Sequence, residues 1–298
     1  MLLADFIKEG VSSLACLYPE KEARNIVLML CEKFIGTKNY THIVEPATEI
    51  PGQRLQPLQS ALGRLVRGEP IQYVTGEAEF YGRKFNVCPS VLIPRPETEL
   101  LCREAVSQAT RLTRMRLPFG KNAEPVRILD LCTGSGCIAW TLALSVPGCL
   151  VTGVDISADA LKVANGQDFT AELKAGSAIA PKFIEADILN DVPDLGKFDI
   201  VLSNPPYIME SEKKDMRVNV LEHEPHIALF VPDDDPLVFY RAVAEWSCLL
   251  PGGMGMTEIN ENLGRETCDL FREAGFREVS VVKDLNDRSR FITYRKAG

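Results

Sequence analysis

Val126-Arg127-Ile128-Leu129-Asp130-Leu131-Cys132-Thr133-Gly134-Ser135-Gly136 is the stretch on which the fold turns. Its aliphatic first half reads as a buried strand. The run breaks at a Gly-x-Gly loop and resumes as a second apolar segment, Ile138 to Leu144, which reads as a helix. Glycines between a strand and a helix let the backbone approach a ligand, and a helix N-terminus favours negative charge. Strand, glycine loop and helix together make the repeating unit of a parallel α/β sheet.

The pattern continues downstream. Leu150 to Asp155 reads as a second strand with a helix from Ser157, Lys182 to Asp187 as a third strand, and Phe198 to Ser203 as a fourth. A helix over Leu237 to Leu250 then leads through Pro251-Gly252-Gly253 into a strand over Gly255 to Ile259. Asn262 to Ala274 reads as helical, and Val279 to Val282 with Arg290 to Tyr294 closes a mostly parallel seven-stranded sheet.

Upstream, Leu2, Leu3, Phe6, Ile7, Val11 and Leu14 recur at helical spacing, and so do Ile26, Val27, Leu30 and Phe34. A third stripe, Leu55, Leu58, Leu62 and Leu65, follows Pro51 and stops at Gly68 and Pro70. Glu79 to Val87 holds two short β-like runs around Gly82, which predicts a hairpin. The expected division is a helical domain over 1–72, a hairpin linker over 73–97 and a catalytic domain over 98–298. Thr98 is the expected N-cap of the helix through Leu100, Leu101 and Ala105. Thr110 to Pro125, with Arg111, Arg114, Arg116 and Lys121, reads as an irregular, solvated basic stretch.

The formal net charge of −8 disfavours a broad grip on nucleic acid. Nine cysteines without a C-x-x-C pair, and His42, His223 and His226 without ligand spacing to them, read as reduced small hydrophobes and not as a metal site. Asp5, Lys8 and Glu9 interrupt the first apolar residues too early for a signal peptide. No apolar run reaches the ~18–20 residues that span a bilayer. A cytoplasmic protein is expected.

Gly134-x-Gly136-x-x-Ala139 also fits the dinucleotide fingerprint, with Asp155 placed as its ribose-binding acid. Asp130, however, lies in the strand just before the loop, where a carboxylate repels a pyrophosphate and attracts an ammonium. Asp187 is positioned to accept from the exocyclic amine of an adenine. Any one of these acids suits a simple cap; three at successive strand ends suit an amino acid, a ribose and an adenine without phosphate. That ligand is S-adenosylmethionine.

Asn204-Pro205-Pro206-Tyr207 ends the fourth strand. Two prolines cannot donate to a sheet ladder, and Pro205 drives Asn204 toward an extended backbone. The result is a stiff turn at the carboxyl end of a strand, where open α/β sheets bind ligands. Asn204 Oδ1 and the Pro205 carbonyl can accept both hydrogens of a planar NH₂ group while Tyr207 packs on its flat face. A poor nucleophile held in line with an electrophilic methyl gains as much as ~7–11 kcal/mol from orientation. The planar group is an amide or an adenine amine.

With these motifs the chain resembles the HemK/PrmC protein-glutamine N5-methyltransferases that act on peptide chain release factors. The resemblance rests on Pro70-Ile71-Gln72-Tyr73 with Gly76 and Glu79-Phe80, and on Leu92-Ile93-Pro94-Arg95-Pro96-Glu97-Thr98-Glu99. It continues through Asp130 to Gly136, Asp155, Asn204 to Ile208, and Glu224-Pro225 with Ala228-Leu229. It implies a class I S-adenosylmethionine-dependent methyltransferase fold, Rossmann-like, behind an N-terminal helical domain. The implied reaction methylates the glutamine of the Gly-Gly-Gln motif of class 1 release factors and leaves S-adenosylhomocysteine. Asn204, Pro205 and Tyr207 are the implied catalytic residues, and Pro206 joins them on the substrate. Cys132, Thr133, Gly134, Ser135, Gly136, Asp155 and Ile188 fall on the cofactor; with Asp130, Ile156, Asp187 and Asn204 they form the expected cofactor site. The helical module and hairpin are expected to help dock the release factor, and the protein is expected to act as a monomer with no direct nucleic-acid contact. Two positions depart from the family pattern. Cys132 stands where many relatives have the loop's first glycine, a residue for which a positive φ is not cheap. Ile188 stands where some relatives have an aromatic residue. The rival reading is an adenine-N6 methyltransferase on DNA or RNA, which shares Asn-Pro-Pro-Tyr.

Overall fold

The computed structural model describes residues 1–117, 124–191, 193–284 and 286–298, which divide into two compact units. The first comprises Met1–Glu77 with Met216–His223. Its helices are α1 (Leu3–Ser13), α2 (Glu20–Ile35), α3 (Thr41–Val44), α4 (Gly52–Val66) and α5 (Ile71–Thr75). The apolar stripes read from the sequence form its core, with Phe6, Leu14, Val27, Leu30, Leu58 and Leu65 almost fully buried. Prolines stand before α2, α4 and α5, where no amide proton is needed. Arg64 grips the Glu69 carboxylate at 2.5 Å and thereby closes the turn between α4 and α5.

The second unit opens with a hairpin, β1 (Glu77–Phe80) and β2 (Arg83–Asn86). Tyr81 and Gly82 at its tip both have positive φ, 51° and 72°, as a two-residue type I′ turn requires. Phe80 and Phe85 bury their rings in the main core. Next comes α6 (Thr98–Arg116), longer than the sequence suggests. The stretch from Thr110 to Arg116 is therefore helical, not irregular, and Lys121 lies outside the described residues. Arg116 is not a solvated charge either: its guanidinium binds the carboxylate of the nearly buried Asp199, which also accepts from the Arg127 amide at 2.9 Å.

The remaining elements are β3 (Arg127–Leu131), α7 (Cys137–Ser145), β4 (Leu150–Asp155), α8 (Ala158–Asn165), α9 (Thr170–Gly176), β5 (Lys182–Glu185), β6 (Phe198–Ser203), β7 (Ile208–Met209), α10 (Val218–His223), β8 (Phe230–Val231), α11 (Val238–Trp246), β9 (Leu249–Glu258), α12 (Gly264–Glu273), β10 (Arg277–Lys283) and β11 (Ser289–Arg295). The seven-stranded sheet has the order β10-β11-β9-β6-β3-β4-β5. β11 runs antiparallel to both its neighbours, and the other ladders are parallel. Strand order reverses between β3 and β6, which makes their carboxyl ends the topological switch point.

Three boundaries differ from the sequence reading. β5 stops at Glu185, so Asp187 lies beyond the strand in a turn. α11 ends at Trp246. β9 begins at Leu249, so Pro251-Gly252-Gly253 is a bulge inside the strand and not a connection to it; opposite it, the register with β6 jumps between Phe198 and Ile200. A bulge is where a strand tolerates proline, because the missing N–H falls outside the ladder. Between β7 and β8, which pair in parallel, the chain makes an excursion that contributes α10 to the first unit. There Arg217 binds Glu22 at 3.0 Å.

Candidate active site

At the switch point an open cavity is walled by loops that follow β3, β4, β5 and β6. Cys132, Thr133, Gly134 and Ser135 line it from the glycine loop, Asp155 and Ile156 from the end of β4, Asp187 and Ile188 from beyond β5, and Asn204 and Pro206 from beyond β6. Asp130, Gly136 and Tyr207 stand outside its lining, as does Pro205, which lies between the lining residues Asn204 and Pro206.

The glycine loop owes its shape to three alternate positions. Cys132 sits at φ 59°, in the left-handed region that costs a residue with a Cβ roughly 1–2 kcal/mol. The position normally suited to glycine thus keeps glycine's conformation while holding cysteine. Gly134, at φ 54°, has no atom within 4 Å of the place a Cβ would occupy, so its backbone opens to the cavity. Gly136 is different: a Cβ there would stand 3.1 Å from Ala164, Phe183 and Trp140, so this glycine lets α7 seat closely on its neighbours.

Asp130 and Asp155 hold this loop from below and from the side. Asp130 is fully buried; one oxygen, Oδ2, accepts from Thr133 Oγ1 at 2.6 Å and from the Ala139 amide at 3.1 Å. Its other oxygen, Oδ1, has no partner in the protein. Burial pushes the carboxyl up to about 7, against the pull of Thr133 and Ala139. Asp155 accepts from the Gly134 amide at 2.8 Å and from the Ser157 amide at 2.9 Å, and burial raises its pKa as well. Ser157 in turn caps α8 by accepting from the Ala160 amide at 3.1 Å.

Titration of Asp130 has a direct consequence for stability. The folded chain keeps the proton up to about pH 7, whereas an unperturbed aspartate releases it at 3.8. The stability contributed by that proton is complete below the unfolded pKa and is lost as pH rises through the folded one. Asp130→Asn removes this loss, so relative to the parent it should gain about 2–3 kcal/mol between about pH 5 and pH 8. Chemical denaturation without cofactor measures the difference; a gap that does not change with pH would contradict the account.

Beyond β5, Asp187 accepts from the Leu189 amide at 2.9 Å and from Asn190 Nδ2 at 2.6 Å, and so shapes the turn that presents Ile188. Trp246 Nε1 holds the Ile188 carbonyl at 3.0 Å from the other side. Beyond β6, Ser203 donates to the Leu131 carbonyl at 3.0 Å, tying the start of the proline turn to the end of β3. Asn204 is half-buried, and its Nδ2 donates to Thr98 Oγ1 at 3.3 Å. The Tyr207 phenol donates to Glu258 Oε1 at 3.1 Å. Burial and the neighbouring Glu258 carboxylate both push that phenol up. The Tyr207 hydroxyl thus points into the protein, while its half-buried ring is the part that the sequence reading expects to pack on the substrate.

Several site residues escaped the sequence reading. Thr98 is not an N-cap: it is the first residue of α6, lines the cavity, and donates to Glu258 Oε2 at 2.8 Å. Glu258 ends β9 as Asp155 ends β4, so the rule of strand-end acids applies to it too. The rim is assembled from two distant segments. Glu224 accepts from the Ile93 amide at 3.1 Å and from Arg95 at 2.5 Å, drawing together Leu92, Pro94 and Arg95 with Pro225, Ile227 and Ala228. Among the described residues, no group of three or more His, Cys, Asp or Glu is arranged to hold a metal ion.

Residues 97–226 match the methyltransferase small domain model, and residues 5–76 the PrmC N-terminal domain model. A release factor glutamine methyltransferase of Flavobacterium psychrophilum is 36% identical over 99% of this chain and 100% of its own. One of Bacteroides thetaiotaomicron is 36% identical over 94% and 95%. Among solved structures, a release factor-specific protein-(glutamine-N5) methyltransferase of Alicyclobacillus acidocaldarius is 29% identical, with 72% of this chain and 100% of that one covered and a TM-score of 0.39.

Proposed function

The chain belongs to the release factor glutamine methyltransferases, and we propose that its Asn204–Tyr207 turn holds the glutamine amide of a Gly-Gly-Gln motif for methylation. It is an S-adenosylmethionine-dependent protein-glutamine N5-methyltransferase. The residues present suit that cofactor. Gly134 leaves open space over its backbone, the Asp130 oxygen without a partner is a free hydrogen-bonding group beneath the loop, and Ile156 and Ile188 offer aliphatic faces to a flat ring. Bound there, S-adenosylmethionine supplies an electrophilic methyl group on a sulfonium.

The chain's own part is orientation. Asn204 Oδ1 and the Pro205 carbonyl accept the two amide hydrogens, which fixes the nitrogen and directs its lone pair. The rigid proline backbone pre-orders this acceptor pair, so little entropy is lost when substrate binds. Held in this way, the nitrogen would stand in line with the methyl group that bound S-adenosylmethionine would supply, and the proton it sheds would pass to water. No general base is required.

The observation that carries this reading is that Asn204 and the glycine loop share one cavity. A methylation assay with labelled cofactor tests it, on a class 1 release factor and on the same factor with its Gly-Gly-Gln glutamine replaced. Label is expected on the first alone; equal labelling of both would refute the assignment.

Asp155 is the proposed ribose contact, and its two oxygens already hold one backbone amide of the glycine loop, Gly134, and one beyond β4, Ser157. Asp155→Ala should therefore weaken cofactor binding by about 1–3 kcal/mol. Calorimetric affinity equal to the parent's would remove Asp155 from the site.

The helical stretch 1–72 and the hairpin stretch 73–97 are proposed to help dock the release factor, and the stretch 98–298 to carry catalysis. The protein is inferred to be a cytoplasmic monomer that makes no direct nucleic-acid contact. No helix among the described residues is long and apolar enough to cross a membrane.

A further inference from the structure

We propose that Thr98 and Glu258 are positioning residues that fix which way the Asn204 amide faces. This inference rests on the reading of Asn204 as the substrate's acceptor. An asparagine amide has two similar ends, and only the oxygen can accept from a substrate NH₂. Nothing in Asn-Pro-Pro-Tyr selects between the two orientations.

The selection comes from elsewhere in the chain. Glu258 is buried and accepts two hydroxyl donors, Thr98 at 2.8 Å on Oε2 and Tyr207 at 3.1 Å on Oε1. A carboxylate is acceptor-only, so the single Thr98 proton is committed to it. Thr98 Oγ1 then has only lone pairs for Asn204. It accepts from Nδ2 at 3.3 Å, which leaves Oδ1 as the free end of the amide. The relay therefore runs from Glu258 through Thr98 to Asn204, and the polarity of each bond follows from the one before. Because Tyr207 hangs on the same carboxylate, both ends of the proline turn are secured by one residue of β9.

Two hydroxyl donors converging on its two oxygens mark Glu258 as the acceptor of the pair. Burial raises its pKa and Glu97 adds to the rise, while the Thr98 and Tyr207 hydroxyls and Arg290 pull against it. Arg290 is itself anchored to Asp284 at 2.8 Å.

Replacing Glu258 by glutamine breaks the logic at its source. A side-chain amide can present its NH₂ to Thr98, which frees the Thr98 proton to donate to Asn204 Oδ1 and turns the amide around. Thr98→Val keeps shape and removes both functions of the hydroxyl; Thr98→Ser keeps the hydroxyl.

The test measures kcat and KM on the release factor, together with S-adenosylmethionine affinity by calorimetry, for T98V, T98S, E258Q and the parent chain. T98V and E258Q should lose about 10- to 100-fold in kcat, the scale on which misorientation acts, with KM and cofactor affinity within about two-fold of the parent. T98S should recover to within about three-fold of it. The proposal is overturned if T98V keeps its kcat, if T98S is as impaired as T98V, or if cofactor affinity falls in step with turnover. A parent chain that fails to methylate the glutamine overturns the functional reading along with this one; an active parent with an unaffected T98V overturns this one alone.

Discussion

Asn204→Ala should abolish methyl transfer to the release factor while S-adenosylmethionine still binds. The carboxamide is the one side chain in the proline turn that can accept from the substrate nitrogen. Its loss leaves the Pro205 carbonyl to hold a planar group by a single hydrogen, about which the amide can swing. Removing one pre-oriented hydrogen-bonding group from an active site typically costs about 10²–10³ in kcat. Here the nucleophile is an amide nitrogen whose lone pair is delocalised, so orientation is a large share of what the protein can contribute. Cofactor contacts are assigned mainly to the glycine loop and to the turns after β4 and β5, and alanine at 204 leaves those in place. Single-turnover methylation and calorimetric titration of the same preparation separate the two effects. Turnover near that of the parent would sink the role of Asn204, and a matching loss of cofactor binding would mean that the turn collapses.

Gly255→Ala should be the most destabilising of the conservative glycine substitutions. Gly255 lies in β9 directly opposite Tyr294 of β11, whose ring covers the glycine Cα. A methyl group there would overlap the ring itself. Tyr294 cannot withdraw: it is fully buried, its ring packs on Phe271 at 4.3 Å and on Phe276 at 4.9 Å, and its hydroxyl is bonded to Ser247 at 2.8 Å. Overpacking a close-packed core costs about 1–3 kcal/mol and occasionally more, and a ring pinned at both edges belongs to the costly end. A loss of about 3 kcal/mol or more is expected, a large share of the ~5–15 kcal/mol of a typical domain. Gly134→Ala is the informative comparison. There is open space at that position, so only the positive φ is penalised, by about 1 kcal/mol. Denaturation midpoints of the two variants check the order; a Gly255→Ala chain within 1 kcal/mol of the parent would contradict it.

Much of the site was legible because its signals are local. Proline removes donors and glycine admits positive φ wherever they occur, so the turn at Asn204 and the loop at Gly134 can be read without a partner in view. The strand-end rule found Asp155 and the stretch around Asp187 for the same reason. It passed over Glu258, whose strand was placed correctly at that end but whose partners, Thr98 and Tyr207, come from other elements. Thr98 was misread because a threonine before a helix is a common cap, and nothing local shows that its hydroxyl is claimed by a residue 160 positions away. Arg116 was misread likewise: a basic run is usually solvated, and only the sheet brings Asp199 beneath it.

By itself the sequence determined the order of strands and helices, the sheet's mostly parallel character, the glycine loop and the stiff Asn-Pro-Pro-Tyr turn. All of these follow from backbone chemistry and apolar periodicity, which act over a few residues. Tertiary structure alone decided that Asp130 lies beneath the loop with one oxygen unpaired and that Glu224 joins the 93–95 segment to the cavity rim. It also decided that the Tyr207 hydroxyl meets Glu258 and that the Asn204 amide faces with its oxygen free. Each of these depends on which polar group meets which across long chain separations. In a buried, low-dielectric setting most such groups are paired, and which ones pair, Asp130 Oδ1 being an exception, is settled only when the sheet brings them together.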